Sequence, residues 1–169
     1  MMVILTALVL AIIFGLLLIL AWTDHKYYLL PNVYNLALLI SFGIFHWLTG
    51  WAFTAPMNAV MGLLAGGGFL LAIRAAANKI MQADTIGLGD VKFMMAAGFG
   101  LGIPNVFMVL CAGSFLGMLH GVILYLAAKR KSAKGAPDLA HVNVPAGVGL
   151  CIATAAICIY QFNGWGTIL

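Results

Sequence analysis

Long apolar runs dominate this sequence of 169 residues. As a helix, each run would be nearly long enough to cross a lipid bilayer. Six such runs lie at roughly 2–22, 33–49, 57–74, 89–102, 104–127 and 144–161. A helix of about 20 residues crosses the ~30 Å hydrocarbon core of a bilayer. Inside lipid the backbone must satisfy its own hydrogen bonds, so continuous apolar runs predict helices, whereas barrel strands would alternate apolar and polar residues. The sequence predicts an all-α, polytopic membrane protein with six transmembrane helices in a single membrane-embedded domain, 1–169.

The composition excludes a soluble protein. Charged residues make up 7% of the chain and hydrophobic residues 64%, whereas a soluble domain carries about 25% charged residues. The net charge of +4 is small and clustered, so we expect no nucleic-acid partner. The three cysteines lie in apolar runs without a Cys-x-x-Cys pair, which predicts neither a disulfide nor a metal site, and no cofactor is expected. The first run lacks a basic segment before it and is read as a retained span.

The basic residues predict the orientation in the membrane. All eight lie in or beside the connections after the first, third and fifth runs: Lys26, Arg74, Lys79, Lys92, Lys129, Arg130, Lys131 and Lys134. With six spans these connections share one side. The positive-inside rule places that side in the cytoplasm and both termini on the non-cytoplasmic side. The four acidic residues lie on the same predicted side, so carboxylate chemistry is expected at the cytoplasmic membrane boundary.

The fourth run is short, because a helix from Gly87 to Gly102 covers only ~24 Å. Pro104 is expected to end or turn it. A short span beside Asp90 indicates a segment that opens onto a water-filled cavity. Glycines spaced by four predict close helix packing in the third and fifth runs: Gly62, Gly66, Gly67 and Gly68, then Gly113, Gly117 and Gly121.

Asp24 and Asp90 form the candidate catalytic pair. Asp24 directly follows the first run and Asp90 opens the fourth, so both are expected at cytoplasmic helix ends at similar depth. Ionising both of two carboxyl groups in one site is unfavourable because the two negative charges repel each other, so one group keeps its proton. Such a pair supplies a general base for water and a general acid for the amide leaving group, without a metal. The proton belongs to the pair, so neither role is assigned to one residue.

The neighbours of Asp90 are candidates for supporting roles. Gly87 and Gly89 are expected to allow an unusual backbone turn and the close approach of a substrate strand. Lys92 is expected to lie near the pair and bias its protonation. In the alternative interpretation, the two aspartates are helix N-caps or partners of nearby lysines at a wet interface.

Two motifs together resemble a known family. The segment Gly87–Asp90, Gly-Leu-Gly-Asp, is similar to the Gly-x-Gly-Asp signature of type IV prepilin peptidases and archaeal preflagellin peptidases. Asp24 followed by Leu30-Pro31-Asn32 resembles the family's other motif. The resemblance covers essentially the whole chain. It implies that Asp24 and Asp90 are catalytic, with active-site support or substrate binding by these residues: Gly87, Gly89, Lys92, Pro31 and Asn32.

The resemblance implies an aspartic endopeptidase that removes the leader peptide of type IV prepilin-like proteins at the cytoplasmic boundary. The implied partners are membrane lipid and a substrate with a basic leader and an apolar helix, which would dock against the glycine-rich faces of the bundle. The implied location is the bacterial inner (plasma) membrane.

The sequence departs from the family pattern in two respects. A late Pro-Phe-Gly-Pro-like turn appears as Val-Pro-Ala-Gly-Val at 144–148, so Pro145 and Gly147 are expected to be structural. Bifunctional members carry Cys-x-x-Cys pairs tied to N-methylation, which this sequence lacks. We therefore expect a peptidase without N-methyltransferase activity, similar to the short members of tight-adherence (Flp-type) pilus systems. Presenilin and signal peptide peptidase share Gly-x-Gly-Asp but have Pro-Ala-Leu where this chain has Pro-Ala-Gly.

Two other functions stay open at this point. A small ion-coupled transporter would use Asp24, Asp90 and His120 as an ion path, yet transporters place such groups near the bilayer midplane and only His120 is expected to lie deep. A non-enzymatic pilus or secretion assembly factor would not need two aspartates at matched depth. His120 is interpreted as a neutral histidine hydrogen-bonded to a neighbouring helix. Asp84 and Asp138 are interpreted as loop residues with basic neighbours.

Overall fold

The computed structural model describes residues 2–82, 86–131 and 145–163, without the side chains of 127–131. These residues form six α-helices: α1 (Met2–Tyr27), α2 (Asn32–Leu48), α3 (Pro56–Met81), α4 (Leu88–Leu101), α5 (Ile103–Lys131) and α6 (Ala146–Gln161). Each predicted apolar run corresponds to one helix, which confirms the all-α prediction. Asp84, Asp138 and Lys134 lie outside the described residues.

Within the described residues, three helices are long and apolar enough to cross a membrane: Met2–Tyr27, Pro56–Met81 and Ile103–Leu126. The helices α2 and α6 are apolar but shorter, with 17 and 16 residues, and α4 has 14 residues, or about 21 Å. Large apolar side chains such as Leu18 and Trp47 cover the outer surface. A surface of this kind suits lipid rather than water. The count of six spans and the orientation of the termini stay predictions.

The shortest helix, α4, occupies the centre of the bundle and packs against α2, α3, α5 and α6. Most of its side chains are buried, with Phe93, Met94 and Ala97 fully so. The remaining helices surround it, and α1 packs against α2 and α6. Since the protein surrounds α4, it need not be long enough to seal a bilayer.

Glycines bring the helices into backbone contact, as their spacing predicted. A Cβ atom on Gly98 of α4 would lie 2.6 Å from the carbonyl carbon of Gly62 in α3. A Cβ atom on Gly149 of α6 would lie 2.9 Å from the Cα atom of Gly117 in α5. No side chain larger than hydrogen fits at these crossings.

Two helix ends differ from the prediction. Gly102, with φ +78°, ends α4 in place of Pro104, which lies inside the first turn of α5. A proline is tolerated there because the first helical amides have no intrahelical acceptor. The helix α1 continues past the end of its apolar run to Tyr27, so Asp24 lies within the helix and not after it. Tyr28, with φ +54°, then reverses the chain toward α2.

Candidate active site

One cavity of about 370 Å³ gathers the residues that the two motifs singled out. It lies where α1 ends and where α2 and α4 begin. All the predicted site residues line it: Asp24, Pro31, Asn32, Gly87, Gly89, Asp90 and Lys92. Asp24 lines it from the end of α1 and Asp90 from the start of α4. The structure therefore brings the predicted pair together in one space.

The first turn of α6 holds the Asp24 side chain. The backbone N–H of Val148 donates a hydrogen bond to Asp24 Oδ2 over 3.0 Å. Pro145 is the N-cap residue of α6 and provides no side-chain cap, so Asp24 of α1 takes that role across the bundle. Although Asp24 is only 5% exposed, its carboxyl group has a fixed hydrogen-bond donor.

Gly147 makes this arrangement possible because it leaves no side chain between α6 and Asp24. A Cβ atom at Gly147 would lie 2.8 Å from Asp24 Cγ and 2.9 Å from Oδ2. The sequence assigned Pro145 and Gly147 a structural role only, and the structure places Gly147 against the candidate catalytic carboxyl group. The available signal was the Pro-x-Gly start of an apolar helix.

The glycines before Asp90 provide space rather than an unusual backbone conformation. Gly87 has an extended backbone, with φ −64° and ψ 136°, and Gly89 is already helical, so the predicted unusual turn is wrong. A Cβ atom at Gly87 would lie 3.1 Å from Asp90 Oδ2, and one at Gly89 would lie 3.0 Å from Leu30 Cβ. The N-cap residue of α4 is Gly87, so Asp90 is not a helix N-cap.

Polar contacts join the start of α2 to the start of α4. Lys92 lines the same cavity as the two aspartates, and its Nζ donates a hydrogen bond to Asn32 Oδ1 over 2.9 Å. Asn35 Nδ2 donates to the carbonyl oxygen of Gly89 over 3.3 Å. Sequence reasoning missed Asn35, which is buried in α2.

His120 lies closer to the site than expected. Its ring meets the ring of His25 edge-on, with 5.3 Å between centroids, and both histidines lie near Asp24. Among the described residues, His120 Nε2 is buried and has no hydrogen-bond partner. The predicted bond of this histidine to a neighbouring helix stays a prediction. Within residues 2–82, 86–131 and 145–163, no three His, Cys, Asp or Glu side chains are grouped closely enough to hold a metal ion.

Comparisons with known proteins bear on the whole arrangement. The model of the type IV leader peptidase family matches residues 4–122, which include both aspartates and every other predicted site residue. No curated protein and no solved structure matches the chain. Since the matched segment covers more than half of the sequence and contains both sides of the cavity, this chain belongs to the type IV leader peptidase family.

Proposed function

We propose that this protein is an aspartic endopeptidase that removes the leader peptide of type IV prepilin-like proteins, with Asp24 and Asp90 as its catalytic pair. The observation that carries the proposal is the cavity that both carboxyl groups share, although 65 residues separate them in the chain. Membership of the family supports peptide hydrolysis in general. The position of both carboxyl groups in one cavity supports a shared proton.

The pair would hydrolyse a peptide bond without a covalent intermediate. The ionised carboxylate takes a proton from water as the water oxygen attacks the scissile carbonyl carbon. The protonated partner donates its proton to the carbonyl oxygen. When the tetrahedral gem-diol intermediate collapses, the C–N bond breaks and the leaving nitrogen receives a proton from the pair. One hydroxyl group of the intermediate returns its proton to the pair, which restores the starting state. The products are a new carboxylate on the leader and a new N-terminus on the mature chain.

The surrounding residues position this chemistry. The amide of Val148 fixes Asp24, and the first turn of α4 fixes Asp90. In hydrolases a displacement of a reacting group by about 1 Å can lower the rate about 100-fold, so these supports matter. The contact of Lys92 with Asn32 forms one rim of the cavity and favours a role in substrate binding.

The expected substrate has a basic leader followed by an apolar helix. The two carboxyl groups lie at one end of the bundle, at the end of α1 and the start of α4. We infer that all six helices are embedded in the bacterial inner membrane, with this end at the cytoplasmic boundary and both termini on the other side. The leader would then reach the cavity from the cytoplasm while the helix stays in lipid.

The proposal is limited to proteolysis. The cysteines Cys111, Cys151 and Cys158 form no Cys-x-x-Cys pair, and we assign no methyl transfer to this chain. An ion-coupled transporter or a non-enzymatic assembly factor would not cleave a substrate. Under either alternative, substitution of the two aspartates would have no effect on the length of the substrate.

Co-expression with a prepilin-like substrate tests the proposal. Wild type should shorten the substrate, and neither Asp24→Asn nor Asp90→Asn should do so at equal membrane abundance. Asp84→Asn is the matched control, since the sequence predicts a plain loop residue there, and it should process like the wild type. Processing that persists in either active-site variant would refute the catalytic pair and favour one of the other functions.

A further inference from the structure

Most glycines of the glycine-rich faces already pack against the bundle itself. Gly62 contacts Gly98 and Gly102 of the α3–α4 crossing, and Gly149 contacts Gly117 of the α5–α6 crossing, whereas Gly68 lies in open space. The packed glycines leave no room for a substrate helix. A surface beside the catalytic cavity is therefore a better candidate for the apolar part of the substrate.

A second cavity opens beside the first. It has a volume of about 300 Å³ and is lined by α2 and α4, and we call it the α2–α4 groove: Asn32, Asn35, Leu36, Leu39, Lys92, Met95 and Ala96. Asn32 and Lys92 line both cavities, so the groove adjoins the catalytic cavity. On each helix the lining residues follow three- and four-residue steps and therefore form one face.

The two walls of the groove run in the same direction. The bond from Asn35 to Gly89 and the bond from His46 to Gly100 both join residues 54 apart, so α2 and α4 are parallel and in register. Each wall is polar at the catalytic end, at Asn32 and Lys92, and apolar farther in. A substrate whose polar leader precedes an apolar helix has the same order of polarity.

Asn35, in the lining of the α2–α4 groove, carries a hydrogen-bond acceptor without a partner in the described part of the chain. The residue is 4% exposed, and its Nδ2 donates to Gly89, while its Oδ1 is buried without a partner among the residues that the structure describes. A buried polar atom without a partner is unfavourable and calls for an explanation. A helical substrate must open near the scissile bond before water can attack, and opening releases backbone N–H groups that need an acceptor.

We propose that the α2–α4 groove binds the apolar helix of the leader-bearing substrate, beginning just past the bond that is cut, and that Asn35 Oδ1 accepts a backbone N–H of the opened segment. This inference rests on the proposed function, because it requires the cut to occur in the adjoining cavity.

Two other cavities provide the comparison. One of about 210 Å³, between α3, α5 and α6, reaches Asp90. The other, of about 230 Å³ between α1 and α6, touches neither aspartate. Within the described part of the chain, neither lining contains a buried polar atom that lacks a partner. The α2–α4 groove is therefore favoured by both its polarity and its free acceptor.

Site-specific photocrosslinking in membranes tests the groove directly. A benzophenone amino acid is placed at Leu36 in the α2–α4 groove, at Ser114 in the α3–α5–α6 cavity or at Leu18 in the α1–α6 cavity. The full chain carries Asp90→Asn so that the substrate stays uncleaved. The groove predicts an adduct from Leu36 and none from the other two positions. An adduct from Ser114 in its place, or equal adducts from all three positions, would overturn the groove.

The same preparation separates the two proposals. If the wild-type chain cleaves the substrate and Leu36 gives no adduct, the groove is wrong and the proposed function stands. If the wild-type chain never cleaves the substrate, the proposed function fails and the groove fails with it.

A kinetic comparison distinguishes docking from general damage. Leu36 and Leu18 are both exposed, so Leu36→Trp and the control Leu18→Trp are compatible with folding. Leu36→Trp should lower kcat/KM about tenfold for a full-length substrate, because it fills an apolar binding surface. A short peptide that lacks the apolar helix should be cut at the wild-type rate. Equal losses with both substrates, or no loss with either, would contradict the groove.

A paired change in enzyme and substrate tests Asn35. Ester bonds replace, one at a time, the amides that follow the scissile bond, and each ester removes one N–H. One ester should lower the cleavage rate of the wild type. The Asn35→Leu enzyme should cleave that ester substrate as fast as it cleaves the amide substrate. Equal losses in both enzymes at every position would refute the contact with Asn35.

Discussion

The substitution Gly147→Ala tests how strictly α6 positions the Asp24 carboxyl group. The new Cβ atom would lie 2.8 Å from Asp24 Cγ and 3.0 Å from Leu30 Cδ1. Nonbonded carbon atoms prefer separations of about 3.5–4.0 Å, so the carboxyl group or the helix must move by at least about 0.7 Å. A shift of about 1 Å in a reacting group costs about 100-fold in rate. We therefore expect kcat/KM to fall by about that factor.

The helix itself should tolerate the change. Alanine is a better helix former than glycine by about 1 kcal/mol, which offsets part of the overpacking cost of about 1–3 kcal/mol. Gly15→Ala is the matched control, because Gly15 lies within α1 and a Cβ atom added there would have nothing within 4 Å. It should keep wild-type activity and stability.

Cleavage of a purified prepilin-like substrate in detergent or liposomes gives the rate, and thermal unfolding gives the stability of each variant. A folded Gly147→Ala protein with the wild-type rate would refute the reasoning, because Asp24 would not need the position that α6 gives it.

Three further predictions follow from the fold. Gly98→Ala should destabilise the bundle by about 1–3 kcal/mol in thermal unfolding, since its Cβ atom would lie 2.6 Å from the Gly62 carbonyl carbon, whereas Gly68→Ala has nothing within 4 Å and should not. A reporter fused after Ser132 should read as cytoplasmic and one at Leu169 as external; the opposite result would place the aspartates on the wrong side of the membrane. Chelators of divalent metals should leave cleavage unchanged, because a carboxyl pair needs no metal, and inhibition reversed by added metal would contradict that chemistry.

The helices and the residues lining the cavity could be predicted because local features specify them. Each apolar run is long enough to form a helix in lipid. The two motifs lie at helix ends that an antiparallel bundle brings to the same side. The ends of the helices could not be predicted to the residue. Polar residues such as Asp24 and Lys26 can continue a helix beyond its apolar run, as they do in α1.

The parts that could not be predicted depend on contacts between distant backbone atoms. Val148 donates to Asp24 through its backbone amide, 124 residues away. Since every residue except proline has a backbone N–H, the sequence does not mark this donor. The spatial role of Gly147 and the free acceptor of Asn35 depend on how the helices cross. For the same reason, the motif glycines suggested backbone freedom, while the structure uses Gly89 for close packing against Leu30.

The most direct test of the central claim compares cleavage by the purified wild type, Asp24→Asn, Asp90→Asn and the double variant in one assay. Two carboxyl groups that share one proton act as a unit, so each single variant should be as inactive as the double variant. Substantial cleavage by either single variant, or losses that add in the double variant, would contradict a catalytic pair.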